Sequence, residues 1–280
     1  MDRQLTLLRA LARPDPATLG ARYEQLPGTT KHRAPLGPPM ICRDPKHHEE
    51  RGPDIKVISH STSGGDVWFI RSGLLRLQRY CYDGRRQILS LYLPGDVIGY
   101  ENDWREGVSV ETVTQTGLCR IDRRKFDAVL RTNRTLRDDF YRQSQDQLDR
   151  LHWLTWSLGT LRPDERLSAF LALSSTFMPY QTLPDGTGVL SMLLPRKDLA
   201  DLLATTVESI SRITHKMAES GLIDIRDPAH FRLLDLQKLV RLGKVEVVYD
   251  RMARNIAKWH NQLMNLSLCT SDTPACFCGR

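Results

Sequence analysis

The sequence predicts an α+β chain in which a β roll or barrel leads through a long helical connector to a helix-turn-helix with a wing. Three observations carry this. Short apolar or alternating runs recur between glycine turns from Ile55 to Ile121. Glycines then nearly vanish until Gly159, and apolar residues return at helical spacing. Finally, two short amphipathic stretches adjoin across Ala204-Thr205-Thr206 and are followed by two strand-like runs.

Taken in order, residues 1–54 contain Pro14, Pro16, Pro27, Pro35, Pro38, Pro39, Pro45 and Pro53, a density that blocks long helices and ladders. They read as a short N-terminal helix and a loose tail. Residues 55–125 follow as the roll, with strands at Ile55–Ile58, Val67–Ile70, Leu74–Tyr80, Gln87–Leu93, Val108–Val113 and Leu118–Ile121. Ser63-Gly64-Gly65-Asp66, Ser72-Gly73, Asp83-Gly84, Pro94-Gly95-Asp96 and Thr116-Gly117 divide them. Over 126–160, one helix or two joined carry an apolar stripe with Leu136, Phe140, Leu148, Leu151, Leu154 and Leu158. Arg and Asp fill the other faces, and the stripe's length and place between two globular segments favour a parallel dimer seam over a lone surface helix.

Residues 161–243 make the last globular unit. Arg162-Pro163-Asp164-Glu165 opens a helix with proline in its first turn. Pro184-Asp185-Gly186 is a turn before Val189–Leu194. Arg196–Leu203 is a short helix with Leu199, Leu202 and Leu203 inward. Thr206 caps a second helix, Val207–Ser220, whose buried stripe is Ile210, Ile213 and Met217. Gly221 stops it, and Leu222–Ile225 with Phe231–Leu234 form a wing. Residues 244–280 add an amphipathic helix, Lys244–Leu266, and a tail holding Cys269, Cys276 and Cys278.

At 40% hydrophobic and 26% charged residues, the 280-residue chain excludes wholesale disorder and exceeds one average domain. No apolar run is long enough to span a membrane, and Arg3 and Arg9 interrupt the N-terminus where a signal segment would be continuous. A cytoplasmic protein without a membrane partner is expected. No G-x-S-x-G, Walker lysine loop, HExxH or dinucleotide fingerprint is present, so an enzyme is not. The net charge of +7 permits double-stranded DNA as a partner.

A helix pair with a wing can lay its second helix in the major groove. Arg212 suits guanine O6/N7, Glu208 a cytosine or adenine amino group, and Ser211 a phosphate or base edge. The full candidate interface is Arg196, Thr206, Val207, Glu208, Ser209, Ser211, Arg212 and Lys216. Residues 196–220 balance four basic against four acidic side chains. The other reading is therefore a helical hairpin with solvated charges, in a redox- or ligand-sensing module that acts through protein partners.

Four segments narrow the choice: Trp68-Phe69-Ile70-Arg71-Ser72-Gly73; Leu93-Pro94-Gly95-Asp96-Val97-Ile98-Gly99; Pro163 to Leu171; and Arg196-Lys197-Asp198-Leu199-Ala200 with Thr206 to Arg212. On these, the chain from about Ile55 to Gly243 resembles the Crp/Fnr family of bacterial transcription regulators. The resemblance implies a cyclic-nucleotide-binding-like roll, a dimerisation helix and a winged helix-turn-helix, working as a homodimer on an inverted repeat. The E-x-x-S-R pattern of Glu208, Ser211 and Arg212 resembles the Fnr/FixK branch, whose half-site is TTGA-like, with Val207 placed to contact a thymine methyl. Control in response to low oxygen or redox state follows, with RNA polymerase as a further partner for which Asp83-Gly84-Arg85-Arg86 offers an exposed turn.

Cyclic AMP is not expected, because residues 99–111 lack the Arg-Ser/Thr-Ala that would hold a cyclic phosphate. An iron-sulfur cluster or other metal stays open. Cys119 resembles the cluster ligand in the roll of oxygen-sensing relatives, but the N-terminal trio is absent and only Cys42 lies in that region. A buried structural role is the default for Cys119. Cys269, Cys276 and Cys278 read either as metal or redox ligands or as accidental thiols of a tail.

Overall fold

The computed structural model describes residues 47–59, 65–100 and 107–252. Among them the roll comprises β1 (His48–Arg51), β2 (Lys56–Ser59), β3 (Asp66–Ser72), β4 (Leu75–Tyr80), β5 (Arg86–Tyr92), β6 (Val97–Ile98), β7 (Val108–Thr112) and β8 (Thr116–Asp122). Two four-stranded sheets result, ordered β1-β8-β3-β6 and β2-β7-β4-β5. Side chains alternate across each strand, so Trp68 and Ile70 enter the inter-sheet core with Ile58, Leu75, Ile98, Val110 and Leu118. Val67 and Phe69 point the other way, beneath Phe126 and Leu130. Burial on both faces explains why β3 reads as an unbroken apolar run.

Strand β1 lies inside the stretch expected to be a loose tail. It pairs antiparallel with β8, from His48 opposite Cys119 to Arg51 opposite Thr116. Its sequence, His-Glu-Glu-Arg, carries no apolar alternation because it borders the sheet and buries little of its side chains. The short helix expected nearer the N-terminus lies outside the described residues.

The Leu93–Asp96 turn has the Pro-Gly centre of a type II turn, with Gly95 at φ 96°. Asp96 N–H donates to the Leu93 carbonyl at 3.0 Å. The Asp96 carboxylate accepts in return from Leu93 N–H at 2.9 Å and from the Arg150 guanidinium. One buried carboxylate thus closes the turn and ties it to the connector.

That connector is two helices, α1 (Arg123–Thr132) and α2 (Arg134–Thr160). Asn133 divides them. Its extended backbone interrupts the helix, its N–H donates to Val129 O, and its side chain accepts from Leu136 N–H. Tyr100, Phe126 and Phe140 meet edge to face at centroid separations of 5.0–5.9 Å, fastening α1 and α2 to the roll.

The last unit contains α3 (Pro163–Phe177), β9 (Tyr180–Thr182), β10 (Gly188–Ser191), α4 (Arg196–Leu202), α5 (Val207–Glu219), β11 (Ile223–Ile225), β12 (His230–Leu233) and α6 (Leu236–Leu242). Its sheet runs β11-β12-β10-β9, so the wing extends the strands on either side of the Pro184 turn. Pro163 opens α3, where the Glu165 carboxylate accepts from Arg162 N–H at 2.9 Å. Leu167 to Ser174 are buried on every face, because the other elements pack around α3. Gly243 permits backbone contact there: a Cβ would stand 2.4 Å from Ala169 Cα. Residues 246–252 are helical, the beginning of the helix expected from Lys244, and Arg251 pairs with Asp149 of α2. The rest of that helix, with Cys269, Cys276 and Cys278, lies outside the described residues, as does Cys42.

Candidate nucleic-acid interface

Helices α4 and α5 bury the side chains that their spacing assigned inward: Leu199, Leu202, Leu203, Ile210, Ile213 and Met217. The turn between them passes through Ala204 at φ 48°, a left-handed conformation that disfavours a Cβ. Glycine adopts it freely, although it gives up more chain entropy on folding. Ala204→Gly is therefore expected to stabilise the protein by about 0.5–1 kcal/mol without altering DNA affinity. Thermal unfolding checks this, and a lowered Tm would count against strain at this turn.

Thr206 caps α5, its hydroxyl accepting from Ser209 N–H at 3.2 Å. Glu208 sits in the first turn, where hydrogen bonds from its own backbone N–H and from the Thr206 hydroxyl hold its carboxyl below the usual range. It is thereby kept ionised, an acceptor only. Val207 is 38% exposed and offers an apolar side chain at the helix start. Thr206, Glu208, Arg212 and Lys216 are exposed, while Ser209, Ser211 and Arg196 are half-buried. Arg196 Nη1 lies 3.5 Å from Ser211 Oγ and so links the starts of the two helices. Pairs four apart share a helix face, so Glu208 with Arg212 and Val207 with Ser211 form adjacent rows over the first two turns.

Further groups near this face escaped the sequence reading. His215 is exposed on α5, with ring Nδ1 2.7 Å from Ser211 O. In the wing, Asp227 accepts from Ala229 N–H at 2.8 Å and His230 N–H at 2.9 Å. Backbone and His230 hydrogen bonds keep its carboxyl below the ordinary value.

The side of α4 away from α5 docks on the roll. Asp198 Oδ2 accepts from Arg76 Nη1 of β4 at 2.6 Å, and Asp198 Oδ1 accepts from Arg86 of β5. Asp201 accepts from Arg86 Nε at 2.7 Å, and its carbonyl from Gln87 Nε2 at 2.6 Å. Gln78 Oε1 bridges the two arginines at 3.0 and 3.2 Å, while Asp54 and Glu111 both accept from Arg76 Nη2. Burial alone would lower the Arg86 pKa, but hydrogen bonds to Asp198 and Asp201 outweigh it and raise the value. Sequence periodicity carries no sign of this cluster, whose two arginines stand more than a hundred residues from Asp198.

Six residues were expected at the dimer seam, and α2 divides them. Leu148 and Leu151 are exposed at 41% and 37%. Leu154 is buried and Leu158 packs on the main core, while Leu136 and Phe140 pack on the Phe126 cluster. Those four are occupied within the chain. Tyr141, at 61% exposure, and the exposed Thr155 extend the free stripe at seven-residue spacing from Leu148.

Cys119 is fully buried in β8 and disulfide-bonded. The described residues contain no group of three His, Cys, Asp or Glu that could hold a metal ion.

Residues 165–242 match the Crp-like helix-turn-helix domain, and residues 54–133 match the cyclic nucleotide-binding domain. The nitrogen fixation regulation protein FixK of Azorhizobium caulinodans is 30% identical over 177 residues, 63% of this chain and 71% of that protein. The chain belongs to the Crp/Fnr family. FixK of Rhizobium meliloti is 27% identical over 205 residues, 73% of this chain and 87% of FixK. The structure of FixK2 from Bradyrhizobium japonicum matches in fold with a TM-score of 0.61 at 20% identity, covering 70% of this chain and 96% of that one. This Crp/Fnr protein is a DNA-binding transcription regulator, not an enzyme. Residues 99–111 lack the Arg-Ser/Thr-Ala expected to pair with a cyclic phosphate, and the buried Arg76 and Arg86 are committed to carboxylates. No helix among the described residues is long and apolar enough to cross a membrane.

Proposed function

We propose that this regulator acts in the cytoplasm as a homodimer of the Fnr/FixK type, reading a TTGA-type inverted repeat and controlling genes in response to low oxygen or redox state. The observation that carries the reading is the row pair on α5. Exposed Arg212 supplies a two-pronged donor for guanine, ionised Glu208 an acceptor for a cytosine or adenine amino group, and exposed Val207 an apolar contact for a thymine methyl. Ser211, Ser209, Thr206, Arg196 and Lys216 border these and suit phosphate oxygens or base edges. Two protomers joined along Tyr141, Leu148, Leu151 and Thr155 present two such helices. The β4–β5 hairpin, with Tyr82 at 99% exposure beside Asp83 and Arg85, is the surface offered to RNA polymerase.

The reading is tested by binding to a duplex carrying TTGAT…ATCAA, at fixed salt because phosphate contacts are salt-dependent. Anaerobic and air-exposed protein are compared. Affinity at least about 10³-fold above a scrambled duplex is expected. Loss in air assigns the switch to an oxygen-labile cofactor or thiol; retention points to a regulator governed by its abundance or another signal. Equal binding to both duplexes would return the partner-binding reading to first place.

A further inference from the structure

Among the described residues three attachments hold the recognition helix to the rest of the protomer, one of them the ion pair of Arg251, just beyond α6, with Asp149 of α2. A second is covalent: α2 runs into α3 through Leu161 and Arg162, and α3 carries the winged unit. A single corner of this kind permits rotation. The third is the docking of α4 on the roll, where Leu74, Ile88 and Leu93 share a core with Leu199 and Leu202, and where the Arg76, Arg86, Asp198 and Asp201 cluster is buried.

These two parts of the docking surface differ in what they can fix. Apolar burial is non-directional and tolerates sliding. Paired guanidinium and carboxylate groups are directional and accept one register. The side chains of Arg76, Arg86 and Asp198 are only 7%, 9% and 5% exposed, and both Asp198 oxygens are taken by different strands of the roll. Buried ion pairs contribute little net stability against apolar replacements, and setting a register is their best-attested use. The roll is in turn fastened to α2 through Phe140 and through Asp96 with Arg150, and α2 bears the dimer seam. The cluster thus completes a closed path from the seam to the recognition helix.

We propose that Arg76, Arg86 and Asp198 are positioning residues that fix the distance between the two recognition helices of the dimer, and so the half-site spacing that the regulator accepts. The inference rests on the operator reading above. Its prediction concerns spacing rather than base sequence, because none of the three lies on the reading face.

The test compares wild type, Asp198→Asn, and the triple variant Arg76→Met, Arg86→Met, Asp198→Leu. The triple variant removes both guanidinium groups together with the Asp198 carboxylate, the most buried of their partners, while Asp201 and Glu111, at 21% and 14% side-chain exposure, keep contact with water; thermal unfolding verifies that each variant is folded. Each binds duplexes whose half-sites stand at the preferred separation, or one or two base pairs closer or farther, at one salt concentration. Wild type should lose at least tenfold in affinity two base pairs from its preferred separation. Folded variants should lose less than threefold over the same series, while still discriminating against a base change in the half-site. Variants that keep the wild-type spacing preference would overturn the proposal, as would variants that lose base discrimination along with spacing. Should wild type prefer no inverted repeat, the operator reading fails, and solution scattering judges the clamp. The triple variant must then show a broader size distribution than wild type, and identical curves would refute it.

Discussion

Replacing Leu148 and Leu151 together by glutamate is expected to convert the dimer to monomers and weaken operator binding by about 10²-fold or more, the scale on which linked binding sites gain over single ones. Both side chains are exposed in the protomer, so the substitution leaves the fold intact while placing four like charges in the seam. The neighbouring leucines would not serve. Leu154 is buried and Leu158 packs on the core, so glutamate there would unfold the protomer and confuse two causes of lost binding. Sedimentation or scattering gives the assembly state, and thermal unfolding verifies the fold. Dimers persisting at wild-type strength would remove this stripe as the seam.

Arg212→Ala is expected to cost about 1–3 kcal/mol of site-specific affinity per half-site, some 5- to 150-fold, while binding to unrelated DNA changes little. The reasoning is geometric. Arg212 lies four residues from Glu208 on the exposed row of α5, one turn from the helix start, where major-groove readers carry their base contacts. As an exposed side chain its removal should leave stability within about 0.5 kcal/mol of wild type. Affinity for the operator and for its variant at the guanine position separates the outcomes. Unaltered discrimination between the two duplexes would mean that α5 is not the reading helix.

Much of this was legible in the sequence, for reasons that lie in particular residues. The Pro94-Gly95 centre needs a positive φ at its third position, so the turn announces itself. Thr206 followed by Ile210, Ile213 and Met217 combines a cap with a helical stripe, and two local signals agree. Strand β1 was hidden because a border strand of charged residues has no apolar period to display. The stripe of α2 was visible, but its periodicity could not say which body covers it: four of the six leucine and phenylalanine positions proved to be covered by the protein's own roll and winged unit. Tyr141 and Thr155 complete the uncovered stripe, yet neither is apolar enough to attract notice. The cluster around Asp198 was invisible for a different reason, since nothing local connects β4 and β5 to a helix so far along the chain.

Helix α2 has 27 residues, which at 1.5 Å of rise per residue makes a rod of about 40 Å. It is gripped by the roll near Phe140 and Arg150, and Leu154 enters the core that the roll shares with the winged unit. A rod of that length is a lever: tilting it by about 5° about one end moves the other by about 3.5 Å. That displacement matches one base-pair rise of B-form DNA, about 3.4 Å. A disturbance in the roll too small to repack its core would therefore be magnified, at the far end of α2, into a displacement of that size.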